Sequence, residues 1–298
     1  MDCVLTLIAA APDGLDDALA QGVRGALRDL GADTGPVRWL AEGRACDLPF
    51  AMLALEQAEA AARPILGDSP IDMVAQAAEG RRKKLLVADM DSTIVIGETL
   101  DELAEFAGIK AHIAAITARA MNGEIDFKAA LRERVSLLAG LPGLALEKTW
   151  ERVELMPGAK TLVATMRHGG AHTVLISGGF RYFTSRVRAL CGFDRDLSND
   201  FEYAADGSLT GKVIEPILDQ AVKLETLVRV AGEQQIPLRL ALSVGDGAND
   251  LAMIQAAGLG VAYHAKPIVA TQARTRIDHG DLTALLFAQG YGADEFRD

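Results

Sequence analysis

The residues best suited to chemistry are acidic and follow short apolar segments. Asp89 and Asp91 end the segment LLVADMD, and Asp246 ends LALSVGDG. Carboxylates beside an apolar core repel one another unless they are solvated, paired or bound to a metal ion. Mg²⁺ prefers oxygen ligands and is commonly bound together with substrate phosphates. The three aspartates therefore predict a magnesium site for a phosphate ester, with a helix cap at Asp91 as the alternative for the first pair.

Strands and helices alternate around these residues. The segment AHTVLISGG places Ser177 and Gly178 at the end of another predicted strand, and Asn249 and Asp250 follow Asp246. Alternating strands and helices predict an α/β fold with a mainly parallel sheet, in which ligands bind at the carboxyl ends of the strands. All of these polar residues should therefore meet at one edge.

The chain is predicted to have two domains. Residues 1–80 contain a strand over 3–9, a helix over 14–30, a weaker strand over 37–40 and a helix over 51–62, which together indicate a small α/β domain. The charged run from Glu79 to Lys84 reads as a solvated boundary. The remaining residues, 81–298, would form the catalytic core, with a helical insertion at about 98–157.

Composition narrows the class of protein. The formal net charge is -11 over 298 residues, which argues against a general nucleic-acid binder. The amino terminus lacks the basic flank of a signal peptide, and no apolar run is long enough to span a membrane. Three widely separated cysteines indicate reduced thiols. We therefore expect a cytoplasmic enzyme with no membrane or nucleic-acid partner.

Four motifs in order resemble those of the haloacid dehalogenase superfamily. The segment DMDST, residues 89–93, is similar to its first motif, DxDxT, and GDGAND, residues 245–250, is similar to its last. Ser177 in ISGG and Lys223 in QAVKLETL match the motifs between them. One such match is weak, but four in the required order and strand context are specific. The resemblance implies a Rossmann-like core with an inserted cap.

The resemblance also implies a role for each matched residue. Asp89 would attack phosphorus to form an aspartyl phosphate, and Asp91 would act as general acid and then general base. One Mg²⁺ would be held by Asp89, Asp91 and Asp246. The phosphoryl oxygens would be bound by Ser177, Gly178 and Lys223.

The two remaining residues of the last motif keep open roles. Asn249 would contact substrate or phosphate. Asp250 would support Lys223 or a metal-bound water, although a helix N-cap before LAMIQAAG is an equally simple explanation.

The helical insertion narrows the resemblance to the phosphoserine phosphatases. Glu98 in VIGETLDELA, the run MNGEIDFKAALRERVSLL and the late segment DHGDLTALL are similar to theirs. This implies O-phosphoserine as substrate, in the last step of serine biosynthesis. Glu98 would bind the ammonium and Arg134 the carboxylate, while Met121 and Phe127 would exclude water. Taken singly, each of these residues also fits an ordinary structural role.

Three questions stay open at this level. The aspartyl phosphate could be transferred to an alcohol such as homoserine instead of water, or the protein could be a non-catalytic phosphoamino-acid-binding regulator. The amino-terminal domain resembles the ACT-type regulatory domains in pattern and position, without a specific motif. We expect it to bind an amino acid or to form a homodimer contact.

Overall fold

The structure is a computed structural model that describes the backbone of residues Met1–Asp298 and their side chains except that of Met121. The first elements are β1 (Cys3–Ala9), α1 (Asp17–Asp29), β2 (Asp33–Thr34), β3 (Arg38–Ala41), β4 (Ala45–Ala51), α2 (Leu55–Leu66) and β5 (Ile71–Ala77). Next come β6 (Leu85–Asp89), α3 (Thr99–Glu105), α4 (Lys110–Met121), α5 (Phe127–Ser136), α6 (Leu144–Trp150), α7 (Ala159–His168), β7 (His172–Phe180) and α8 (Arg181–Cys191). The last are β8 (Arg195–Asn199), β9 (Phe201–Tyr203), β10 (Leu209–Val213), α9 (Gln220–Glu233), β11 (Ala241–Gly245), α10 (Leu251–Ala256), β12 (Leu259–Tyr263), α11 (Pro267–Ala270), β13 (Thr275–Ile277) and α12 (Ala284–Ala288).

The chain divides into two compact units. Unit 1 contains Met1–Lys84 together with Pro157–Ala171 and Thr275–Asp298. Unit 2 contains Leu85–Met156 and His172–Arg274. Helix α7, strand β13 and helix α12 therefore belong to unit 1, although they lie far along the chain from its first strands.

Unit 1 is built on an antiparallel sheet with the strand order β2-β4-β1-β5, and β3 also pairs with β4. Helix α1 begins where Asp16 accepts a hydrogen bond from the Leu19 amide, and it buries Ala20, Val23 and Leu27. That spacing gives one apolar stripe that packs on the sheet. The predicted strand over 3–9 and the first helix are present. The second helix begins and ends four residues later than predicted, because residues 45–51 form β4.

The charged run from Glu79 to Lys84 is predicted to be a solvated boundary, and that prediction is wrong for Arg81 and Lys83. Arg81 is only 14% exposed and forms an ion pair with Asp47, with Nη1 and Oδ2 2.5 Å apart. It also donates to the Ala288 carbonyl at 3.2 Å, and Lys83 is buried. Of its basic residues, only Arg82 and Lys84 are exposed. This part of the run therefore holds unit 1 together instead of facing water.

Unit 2 contains a parallel sheet in which the strand order runs β12-β11-β6-β7-β8. Asp89 is aligned with Ile176 on β7, and Val244 on β11 is aligned with Ala88. The β6 residues are all buried, as expected for a parallel strand covered on both faces. The predicted parallel α/β core is thus confirmed, and the carboxyl ends of β6, β7 and β11 meet at one edge.

The helical insertion lies between β6 and β7 and consists of α3, α4, α5 and α6. The chain leaves and returns along a short pairing in which Ile96 donates to the Glu154 carbonyl at 2.9 Å. Met156 donates in turn to the Ile94 carbonyl at 2.8 Å. The predicted cap is therefore present in unit 2. No helix in the part of the chain that the structure describes is long and apolar enough to cross a bilayer.

Candidate active site

Three buried charged side chains form a cluster at the carboxyl end of β6. Asp89 is the last residue of β6, and Lys223 lies on α9. The Lys223 ammonium is 2.6 Å from Asp89 Oδ1 and 2.6 Å from Asp250 Oδ1. Lys223 is 1% exposed. Lys223, predicted to bind the phosphoryl oxygens, is therefore a buried cation shared by two carboxylates.

The charges in this cluster shift one another's titration. Burial raises the pKa of Asp89 well above its ordinary value, and repulsion from Asp250 adds to the effect, while Lys223 opposes both. Burial alone would lower the pKa of Lys223, but the two carboxylates outweigh it and raise that pKa. The lysine therefore stays charged, and it is the cation that favours the ionised form of Asp89.

The Asp250 carboxylate contacts Lys223 and the backbone of the loop that follows β11. Its Oδ1 binds Lys223, and its Oδ2 accepts a hydrogen bond from the Gly247 amide at 3.1 Å. Asp250 stands directly before α10, but its side chain makes no capping bond to that helix. Of the roles considered for Asp250, these contacts favour support of Lys223 over an N-cap.

The acidic cluster contains Asp250 where Asp91 was predicted. Ligand oxygens of Asp89, Asp246 and Asp250 all lie within 4.8 Å of one another. The Asp91 carboxylate is not in that group, because its Oδ1 accepts from the Thr99 amide at 2.8 Å and its Oδ2 from Ser177 Oγ at 3.1 Å. The side chain of Asp91 is thus committed elsewhere. An all-carboxylate donor set fits a hard divalent cation such as Mg²⁺.

Asp91 is held between the cap and the sheet. Thr99 is the first residue of α3, so its amide is one of the free donors at a helix start. Ser177 lies near the end of β7 and also accepts a hydrogen bond from the Gly179 amide at 2.8 Å. Burial raises the pKa of Asp91, although the bonds from Thr99 and Ser177 oppose the rise. A raised pKa suits a carboxyl group that must first donate a proton.

The cap closes the site with Phe127. A Cβ atom added at Gly178 would lie 2.6 Å from Phe127 Cζ, so the ring rests directly on the backbone at the end of β7. Only a glycine allows this approach. Met121, the other predicted apolar cap residue, lies outside the described side chains.

One cavity is lined by most of the predicted residues. From the core it takes Asp89, Asp91, Ser177, Gly178, Asp246 and Asn249, and from the cap it takes Glu98, Phe127 and Arg134. Lys223 and Asp250 lie behind this lining. Within the described residues, Asn249 Oδ1 is buried and has no hydrogen-bond partner, so a ligand in the cavity would satisfy it.

Glu98 carries a strongly perturbed carboxyl group. It precedes α3 and its Oε1 accepts a hydrogen bond from Ser92 Oγ at 3.1 Å. Burial raises its pKa to about 8, and repulsion from Asp91 and Asp246 contributes. A cationic group in the cavity would favour the ionised form.

Arg134 is a buried cation without an ion pair. It is 3% exposed, and its Nη1 donates to Thr117 Oγ1 at 2.9 Å while its Nε donates to the Ala130 carbonyl at 3.3 Å. Among the side chains that the structure describes, no carboxylate pairs with it. A buried charge left in this way is costly unless a ligand compensates it. The arrangement fits an anion held by the planar donors of the guanidinium.

Sequence reasoning missed Lys266. Its ammonium contacts Asp246 Oδ2 and its amide donates to the Asp246 carbonyl at 2.9 Å. Burial raises the pKa of Asp246 to about 6, and Lys266 opposes the rise. Lys266 follows β12, the strand next to β11. The rule that polar residues after neighbouring parallel strands meet at one edge would have found it.

The fold and the site together define a family. The family model of the haloacid dehalogenase-like hydrolases matches residues 86–255, and the chain belongs to that family. The region matched contains Asp89, the cap, Lys223 and the acidic residues that follow β11. The resemblance predicted from the motifs is confirmed.

Comparisons with individual proteins are more specific than the family match. The chain is 42% identical over 217 residues to phosphoserine phosphatase SerB2 of Mycobacterium tuberculosis. The aligned region is 73% of this chain and 53% of that relative. It therefore spans about half the length of that curated relative. A structure titled as a phospho-aspartyl intermediate analogue of phosphoserine phosphatase is 38% identical with a TM-score of 0.66, over 69% of this chain and 98% of that one.

A further solved structure extends over nearly the whole chain. It is a haloacid dehalogenase family hydrolase, t0658, from Salmonella enterica serovar Typhi, with a TM-score of 0.82 and 30% identity. The match covers 96% of this chain and 97% of that chain. The amino-terminal residues are thus included in a likeness of fold.

Proposed function

We propose that this protein hydrolyses O-phosphoserine to serine and inorganic phosphate through an aspartyl phosphate on Asp89. The observation that carries the proposal is the unpaired, buried guanidinium of Arg134 in the same cavity as Glu98 and the Asp89 cluster. These groups match the carboxylate, the ammonium and the phosphate of one small molecule. The names of the M. tuberculosis relative and of the intermediate-analogue structure support the same substrate.

The chemistry of the first step follows from the contacts of Asp89 and Asp91. Lys223 binds Asp89 Oδ1, which leaves Oδ2 to attack phosphorus. Asp91, held by Thr99 and Ser177, donates a proton to the departing serine oxygen. The bond from Asp89 to phosphorus forms as the bond from phosphorus to serine breaks.

In the second step Asp91 has lost its proton and acts as a base. It takes a proton from a water molecule that attacks the aspartyl phosphate, which restores Asp89 and releases phosphate. Lys223 and the amides near Ser177 stabilise the charge on the phosphoryl oxygens. The same residue thus serves as acid and then as base.

We assign one Mg²⁺ to the carboxylates of Asp89 and Asp246. Both oxygens of Asp250 are used within the protein, and the side chain of Asp91 is held by Thr99 and Ser177. Asp91 would join Asp89 and Asp246 through its main-chain carbonyl, because each of its carboxylate oxygens already accepts a hydrogen bond. Asp89 Oδ1 keeps a lone pair for the metal ion beside the one that Lys223 takes. When bound, Mg²⁺ supplies positive charge to the phosphoryl group. The oxygen donors suit Mn²⁺ as well.

Substrate selection falls to the cap. Glu98 would bind the ammonium and Arg134 would bind the carboxylate through two parallel donors. Asn249 lines the same cavity and has an unsatisfied oxygen that a ligand would bind. Phe127 covers the reaction centre and excludes water that would compete with these polar contacts.

The experiment is phosphate release from O-phospho-L-serine with Mg²⁺, run beside O-phosphothreonine and an aryl phosphate. The variant Asp89→Asn should abolish release, and the exposed Asp68→Asn should not. Activity on the aryl phosphate alone would keep the mechanism but contradict the substrate. Phosphate that appears only with an added alcohol such as homoserine would indicate a transferase, and no turnover at all would indicate a regulator.

We also propose that residues 1–80 form an ACT-like regulatory domain that binds an amino acid or makes a homodimer contact. Its antiparallel sheet with the order β2-β4-β1-β5 and its two helices support the proposal. Light scattering of the full-length protein with and without L-serine tests it. A monomer whose activity and mass do not respond to L-serine would contradict it.

We expect the protein to work in the cytoplasm. Cys3 and Cys46 are free thiols, which suits a reducing compartment. Fractionation of cells that express the full chain tests this location. Recovery of the protein in an extracellular fraction would contradict it.

A further inference from the structure

A chain of hydrogen bonds joins three helices of the cap to Arg134. Asp101 lies on α3, Thr117 on α4 and Arg134 on α5. Arg134 Nη1 donates to Thr117 Oγ1 at 2.9 Å, and Thr117 Oγ1 donates to Asp101 Oδ1 at 2.7 Å. Asp101 is 9% exposed, and Thr117 and Arg134 are each 3% exposed. The three polar groups are therefore shielded from water together.

The direction of the chain follows from the hydroxyl of Thr117. A hydroxyl has one proton to donate, and here its oxygen already accepts from Arg134. Two acceptors are in reach, Asp101 Oδ1 at 2.7 Å and the Ile113 carbonyl at 3.1 Å. The nearer, charged acceptor forms the stronger bond. Asp101 therefore fixes the rotation of the hydroxyl so that a lone pair faces Arg134.

The same chain explains how a buried arginine stays available for a ligand. A carboxylate in direct contact would occupy the planar donors that a substrate carboxylate needs. Asp101 instead acts through one hydroxyl group, so its negative charge offsets that of Arg134 without covering the guanidinium. We infer that Asp101 and Thr117 are positioning residues that hold Arg134 for the carboxylate of the substrate. This inference rests on the proposed function.

The test compares two substrates that differ by one group. O-phosphoserine and O-phosphoethanolamine share the phosphate and the ammonium, but only the first has a carboxylate. Thr117→Val keeps the shape and removes the hydroxyl, and Asp101→Asn removes the charge. Both should lower kcat/KM for O-phosphoserine about tenfold, mainly by raising KM. A tenfold loss corresponds to about one charge-assisted hydrogen bond. Both should change kcat/KM for O-phosphoethanolamine by no more than about twofold, because this substrate has no carboxylate for Arg134 to bind.

Two control variants separate positioning from packing. Thr117→Ser keeps the hydroxyl and should retain most of the selectivity. Thr149→Val removes another buried threonine hydroxyl of the cap, one that donates only to the Ala145 carbonyl of its own helix at 2.8 Å. It should leave the ratio of the two kcat/KM values unchanged. Thermal unfolding of every variant shows whether the cap remains folded.

A double-mutant cycle tests whether the effect passes through Arg134. Arg134→Ala should remove the preference for O-phosphoserine, and adding Thr117→Val to it should cost nothing more. Additive losses, or equal losses on both substrates, would overturn the inference in favour of a packing role.

Failure of the proposed function has a different signature. If the wild-type protein does not prefer O-phosphoserine, or if Arg134→Ala keeps the preference, the substrate assignment falls and the inference falls with it. If Arg134→Ala removes the preference while Asp101→Asn and Thr117→Val keep it, the inference alone is wrong.

Discussion

Lys223 and Asp250 form an ion pair of 2.6 Å in which Lys223 is 1% exposed and Asp250 is fully buried. Asp89 Oδ1 lies at the same distance from the ammonium. Two carboxylates therefore share one cation in the interior of unit 2. Asp89, the proposed nucleophile, is held in place by a group that also neutralises it, so we expect stability and reactivity to depend on the same contact.

Replacing that cation should damage both properties. Lys223→Met leaves two buried carboxylates uncompensated, which should lower the free energy of unfolding by about 3–5 kcal/mol. It should also reduce kcat by about 10²–10³ fold, as for the loss of an electrostatic group at a reacting oxygen. Thermal unfolding and phosphate release measure the two effects. The control is Lys212→Met, whose side chain is 74% exposed and should change neither. A variant as stable as wild type would show that the carboxylates are protonated in the folded state.

The carboxyl group of Glu98 should make the metal-free protein less stable as the pH rises. Its pKa in the folded state, about 8, is above the ordinary value of 4.5. Folding therefore favours the protonated form, and the stability it contributes below pH 4.5 is lost as the pH rises towards and through 8. In EDTA, Glu98→Gln cannot ionise and should lose less of its Tm than wild type between pH 5 and pH 8.5. Glu124→Gln, an exposed substitution, is the control. Parallel Tm curves for wild type and Glu98→Gln would contradict the expectation.

Magnesium binding should weaken in mild acid. The pKa of Asp246, about 6 in the metal-free protein, means that a proton and the metal compete for this carboxylate. The apparent Kd should rise about tenfold per pH unit below 6 for each proton displaced. Calorimetry of the EDTA-treated protein in two buffers of different ionisation enthalpy would detect the released proton. Asp246→Asn should abolish binding, and a Kd independent of pH between 5 and 7 would exclude Asp246 as a ligand.

The two proposed roles of Asp91 can be separated by the choice of leaving group. An aryl phosphate needs little proton donation to its departing oxygen, so Asp91→Asn should still form the aspartyl phosphate from it. Hydrolysis of that intermediate should then be slow, which predicts a burst of phenol followed by a slow steady state. O-phosphoserine, with a poor leaving group, should show no burst. A variant without a burst on the aryl phosphate would show that Asp91 acts before the intermediate forms.

The meeting of the polar residues at one edge of the sheet could be predicted from the sequence, because it does not depend on the order of the strands. Whenever parallel strands end in polar residues, as at Asp89, Ser177 and Asp246, those residues meet at one edge. The grouping of individual oxygens was not predictable. Asp91 leaves the acidic cluster because the Thr99 amide and the Ser177 hydroxyl hold its carboxylate, and neither contact has a local sequence signal.

The sequence also could not predict which segments of the chain belong to each unit. Segments 157–171 and 275–298 join unit 1 through contacts between residues distant in the chain. Asp72 on β5 accepts from the Asp278 amide at 2.8 Å and from the Gly280 amide at 2.7 Å. A single buried aspartate in a strand gives no indication of such a distant partner. The same is true of Thr117, which in sequence is one residue of an ordinary amphipathic helix.

The contact of Phe127 with Gly178 gives the sharpest prediction about the cap. Gly178→Ala would place a methyl group 2.6 Å from Phe127 Cζ, so the ring must move and the cap can no longer close as tightly. We expect kcat/KM for O-phosphoserine to fall at least about tenfold, because misplacement near the reacting atoms is costly. Adding Phe127→Leu frees space and should recover part of the loss. Gly232→Ala on α9 is the control, since a Cβ there meets no atom within 4 Å. It should raise stability by about 0.5–1 kcal/mol through helix propensity alone. If Phe127→Leu deepens the loss in Gly178→Ala instead of relieving it, the methyl group acts on the phosphate site itself and not on the cap.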